Sequence, residues 1–105
     1  MTVQSKEKQG IAEVIGSHRD EIIRIASRHG ATNVRVFGSV ARGEAAPESD
    51  LDLLVTWEYE RLTGWGSAAL WEELETLLGR PVDITSERGL NPFIRDQVLA
   101  EAVPL

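Results

Sequence analysis

The chain has 105 residues, 42% hydrophobic and 27% charged, a size expected to give a single domain spanning residues 1–105, with a real core. Its 17 acidic and 11 basic residues leave a formal net charge of −6, which argues against a nucleic-acid partner, because such proteins gather Lys and Arg on one face. The absence of cysteine excludes a disulfide framework, a thiolate zinc site and a cysteine nucleophile, and the polar opening Met1 to Gln9 and the lack of a long apolar run predict a cytoplasmic protein with no membrane role.

In chain order, residues 6–29 are expected to form one amphipathic helix. Ile11, Val14, Ile15, His18, Ile22, Ile25 and Ala26 recur at helical spacing, and Gly30 ends the run. Val34 to Phe37 is short and β-branched, which predicts a strand stopped by Gly38. Ser39 to Gly43 suits one helical turn, and Glu44 to Ser49 is loop. Leu51 to Trp57 is the strongest strand, apolar enough to be covered on both faces. After a mixed loop, Ser67 to Leu78 is a helix ended by Gly79. Val82 to Thr85 is a third strand, and Asn91-Pro92 starts a last helix over residues 92–102. The order is α-β-(turn)-β-α-β-α. A short link pairs the first two strands antiparallel, and the helical crossover makes the next pair parallel. The fold class is therefore α/β (α+β), a small mixed sheet backed by helices.

The chemistry concentrates in VFGSVARGEAAPESDLDLLV, from Val36 to Val55. Asp50 and Asp52 alternate with Leu51 and Leu53, so the two carboxylates share a face. Adjacent carboxylates repel unless a cation joins them, and Mg²⁺ prefers oxygens shared between carboxylates and phosphates. Gly38 permits a close backbone approach, and the Ser39 hydroxyl and nearby N–H groups can hold a phosphate. Arg42, one turn on, either reaches a phosphate or pairs with Glu44 or Glu48. Asp83, between the core residues Val82 and Ile84, is a third carboxylate. If its strand adjoins the one carrying Asp50 and Asp52, the triad can bridge two metal ions about 3.5–4 Å apart.

Gly38-Ser39, ten residues, then Asp50-Leu51-Asp52 resembles the signature of the DNA polymerase β-like nucleotidyltransferases. With Leu78-Gly79-Arg80-Pro81-Val82-Asp83-Ile84, the chain is similar to the minimal nucleotidyltransferases, the MNT or MntA-like group, from about Ile22 onward. That resemblance implies the nucleotidyltransferase fold, ATP as substrate and a pair of Mg²⁺ ions. Asp50 and Asp52 would be metal ligands, Asp83 would complete the site and draw the acceptor's proton, and Gly38 and Ser39 would hold the triphosphate. It also implies an antitoxin that transfers AMP to a tyrosine of a HEPN-domain toxin.

Blander readings stand beside these. Asp-x-Asp alone suits a capped loop, and Asp83 alone suits an edge or salt bridge. Ser49 orients Asp50 or, on the reading preferred, closes the loop, and His18 and His29 belong to packing and a helix end. Trp71 is a core residue, while Trp57 and Trp65 divide between packing and a partner-facing patch. Two functional rivals remain: an aminoglycoside-type transferase, which usually carries an extra substrate domain, and an antitoxin acting by binding alone.

Overall fold

The computed structural model describes residues 8–58 and 66–105. Its elements are α1 (Ile11–Val14), α2 (Arg19–Arg28), β1 (Ala31–Phe37), α3 (Gly38–Ala41), β2 (Leu51–Trp57), α4 (Gly66–Leu78), β3 (Val82–Ser86), α5 (Pro92–Glu101) and β4 (Val103–Pro104). The sheet order is β3-β2-β1-β4. Strand β2 runs antiparallel to β1 and parallel to β3, as the connection lengths predict. The expected mixed α/β architecture is present.

Alternation along the strands divides the sheet into two faces. Val36, Leu51, Leu53, Val55, Val82 and Ile84 point into the main core, where Ile22 and Ala26 of α2 and Leu70 and Leu74 of α4 meet them. On the opposite face Leu54 packs with Leu90, Val98 and Leu99 beneath α5. Strand β2 is thus covered on both sides, and the second cover belongs to the face that carries Asp52.

The sequence expectation needs correction at three places. The first helix is two helices, separated by a 3-10 turn over Gly16–His18. Gly16 has φ +54°, which a right-handed helix cannot hold, yet Val14, Ile15 and Ile22 remain buried across the break. Strand β1 begins at Ala31 instead of Val34, because its register shifts between Thr32 and Arg35 around Asn33, whose φ is +52°. The last helix stops at Glu101, and the short strand β4 follows, pairing Val103 with Val36. The helix start agrees: the Asn91 side chain accepts the Phe93 N–H at 2.8 Å, with Pro92 beside it.

Candidate active site

Register brings two of the three candidate carboxylates, Asp52 and Asp83, side by side. Leu51 and Leu53 are turned into the main core, so Asp52 between them faces the other way. Phe37, Asp52 and Asp83 stand in one row across β1, β2 and β3. Ladder neighbours of this kind lie about 4.8 Å apart. Asp50, just before β2, is exposed, and its charge still reaches Asp52.

Gly38 explains why Asp52 can sit where it does. Its φ is +76°, and a Cβ built there would lie 2.2 Å from Asp52 Oδ2. Any side chain at this position would both strain the backbone and displace the carboxylate. The sequence reading reserved Gly38 for a close approach, and the group that approaches is the protein's own Asp52. Ser39 follows in α3, half-buried and beside the same turn. At four residues, α3 contributes individual N–H groups more than a helix dipole.

One partner at this turn, Glu101, was not foreseen from the sequence. The Gly38 N–H donates to Glu101 Oε2 at 2.9 Å. The Arg42 guanidinium donates to the same carboxylate at 3.1 and 3.3 Å, and its Nε donates to Glu44 at 3.0 Å. Hydrogen bonds to Glu44 first, then Glu101, raise the Arg42 pKa above its usual value. Glu44 was an expected partner. Glu101 was not, because it is 59 residues from Arg42 and only the folded chain joins them.

The electrostatics are those of crowded negative charge. Burial, and then the charges of Asp83 and Asp50, push the Asp52 carboxyl up to about 6. Among the described residues, no three His, Cys, Asp or Glu side chains already stand drawn together as a metal-holding set. The donors here are all hard carboxylate oxygens, two of them on adjacent strands, with a half-buried member whose charge is unfavourable without a cation. That chemistry fits Mg²⁺ and does not fit a soft metal.

The loop that presents Asp50 is tied down along its length. Gln9 and Ala45 exchange backbone bonds of 2.7 and 3.0 Å. Ser49 Oγ accepts the Ala46 N–H at 2.9 Å, which is the loop-closing role expected of it. Arg80 reaches the Ser49 carbonyl at 3.1 Å and Gln9 Oε1 at 2.8 Å, and Leu51 N–H meets the Pro81 carbonyl at 2.9 Å. Arg80 sits three residues before Asp83, so one side chain connects both carboxylate-bearing segments. Its place within the Leu78–Ile84 run was the only sequence signal for this role.

The residues left out of the candidate set have other work. His18 Nδ1 lies 2.8 Å from Glu21, and His29 Nε2 lies 2.6 Å from Glu73. Trp71 packs against the main core and donates its ring N–H to the Val82 carbonyl. Trp57 also packs against that core, which favours the packing reading for it; Trp65 lies outside the described residues.

The family model described as "Nucleotidyltransferase domain" matches residues 19–105. The protein adenylyltransferase MntA of Thermococcus cleftensis is 38% identical over 93 residues, covering 89% of this chain and 90% of its own. A solved structure described provisionally as a minimal nucleotidyltransferase is 56% identical with a TM-score of 0.77, covering 89% of this chain and 94% of that one. A toxin–antitoxin crystal structure with AMP-PNP aligns at a TM-score of 0.67 and 22% identity, covering 82% of this chain and 70% of that one, a likeness of fold.

Proposed function

Since the chain belongs to the nucleotidyltransferase domain family and is of the minimal, MntA-like kind, we propose that it is a Mg²⁺-dependent protein adenylyltransferase. It transfers AMP from ATP to a tyrosine of a HEPN-domain toxin and so acts as the antitoxin. The whole of residues 1–105 serves as the one catalytic domain, and the partner supplies the acceptor. The observation that carries this reading is the row in which Asp52 pairs with Asp83, with Gly38 leaving space for the Asp52 carboxylate.

Each candidate residue takes a part the geometry allows. Asp50, Asp52 and Asp83 hold the metal, and Asp83, exposed at the edge strand, takes the acceptor hydroxyl's proton. The turn at Gly38 and Ser39 receives the triphosphate, and Arg42 balances part of its charge. Mg²⁺ held by Asp50, Asp52 and Asp83 would, as two ions, supply charge that lowers the pKa of the attacking hydroxyl and stabilises the departing pyrophosphate. Alignment and charge stabilisation supply most of the acceleration. Two features support a protein acceptor: a close relative named for that activity, and a fold shared with a toxin–antitoxin component.

The test is direct. The protein, a HEPN partner, Mg²⁺ and ATP labelled at the α-phosphate are incubated, and the modified residue is mapped by mass spectrometry. Label is expected on a partner tyrosine, falling at least about 10³-fold with Asp52→Asn, equivalent to about 4 kcal/mol of lost stabilisation. Circular dichroism of that variant should show a folded protein. Label passing instead to an aminoglycoside offered in a parallel reaction, or neutralisation of the toxin with no label at all, would reject the reading.

A further inference from the structure

The Gly38 N–H and the Arg42 guanidinium converge on one anion, and the chain itself provides it. Glu101 Oε2 accepts from Gly38 at 2.9 Å, and both its oxygens accept from Arg42 at 3.1 and 3.3 Å. The Glu101 side chain is 19% exposed and adds to the negative charge at Asp52. A carboxylate bridging an N–H and a guanidinium uses the same donors that a phosphate oxygen would use.

We infer that Glu101 is an internal stand-in for a triphosphate oxygen, so that nucleotide enters by exchanging with it. The inference rests on the nucleotide reading above and adds a regulated step to it. Glu101 ends α5, and Val103 is paired with Val36 two residues later, so the backbone at this point is held. Exchange is therefore a rotation of the Glu101 side chain away from Gly38, with α5 and β4 left in place. Once it has rotated, Arg42 and the Gly38 N–H face the incoming phosphate, and one nearby negative charge has withdrawn from Asp52. Without nucleotide, the seated carboxylate keeps the Gly38 N–H paired and holds Arg42 in position. The apparent affinity for nucleotide is reduced by the fraction of time Glu101 is seated.

Binding of Mg²⁺·AMP-PNP is measured by calorimetry for the wild type, Glu101→Gln and Glu44→Gln. Glu44 also pairs with Arg42 and carries the same charge, and its carboxylate is bonded to Nε and not to the Gly38 N–H. Glu101→Gln should bind about fivefold tighter, as expected if the seat is occupied about four-fifths of the time, and Glu44→Gln should change affinity by less than about twofold. The Gly38 amide NMR resonance of the wild type should also move on nucleotide addition, a readout that needs no variant to fold. Equal or weaker binding by Glu101→Gln would overturn the exchange, as would an equal gain from Glu44→Gln or an unmoved Gly38 amide at saturation. If neither wild type nor Glu101→Gln binds nucleotide, the functional reading itself fails and this inference fails with it.

Discussion

The two faces of β2 differ in what they ask of the same backbone. One face carries Leu51, Leu53 and Val55, each 1% exposed or less, in a core shared with α2 and α4. The other carries Asp52, then Leu54 and Thr56, and passes from a charged row through a small apolar cluster to solvent. Burial rewards the first face and penalises the second where Asp52 sits. Strand alternation lets the leucines fix the position of the aspartate without touching its chemistry. A core leucine and a half-buried carboxylate are thereby separated by one residue.

Substitutions can test that separation. On the apolar face, Leu53→Ala should cost about 2–5 kcal/mol through lost burial and the cavity left behind. Denaturant unfolding would measure this, and the remaining folded protein should keep the wild-type transfer rate per active molecule. A rate that fell further than the folded fraction would show the faces to be coupled.

Gly38→Ala should act at the boundary between them. The added methyl meets Asp52 Oδ2 and sits on a backbone with φ +76°, so about 1–2 kcal/mol of stability should be lost. Transfer should fall by about 10²-fold or more, because a displacement near 1 Å is enough to spoil alignment. Normal transfer by a folded Gly38→Ala protein would mean that the Asp52 carboxylate does not need its place beside the turn.

The smallest effect has an unusual sign. The Asp52 carboxyl titrates near 6 in the fold against a usual 3.8, so the fold prefers it protonated. Below the ordinary value it is neutral folded or unfolded, and there is no penalty. The penalty grows as pH rises from about 4 to 6 and is complete above that. Asp52→Asn should therefore stabilise the metal-free protein at neutral pH by about 1 kcal/mol, a figure reduced for the half-exposed setting, and should change little at pH 4. Melts in chelator at pH 4 and 7.5 would check it; a destabilised variant at 7.5 would show the charge to be well compensated by its neighbours.

Much of the candidate site was legible because its signals are local. Gly38-Ser39 and Asp50-Leu51-Asp52 can be read in one stretch, and connection lengths predict that Asp83 lies on the strand beside Asp52, where the register puts it. What escaped was long-range or sterically subtle. Glu101 is 63 residues from Gly38, and Gln9 is 71 from Arg80, with no periodicity to connect either pair. The turn at Gly16 and the bulge at Asn33 each depend on one backbone angle that the surrounding hydrophobic pattern conceals. Strand β4 is two residues long and gains its meaning only by pairing with β1.

The indole of Trp71, bonded to the Val82 carbonyl, gives the protein a built-in optical gauge. That carbonyl belongs to the residue immediately before Asp83, so a small shift of β3 alters the polarity felt by the ring. With Trp57 and Trp65 replaced by phenylalanine, the emission of Trp71 would follow events at Asp83 in real time, without an added dye.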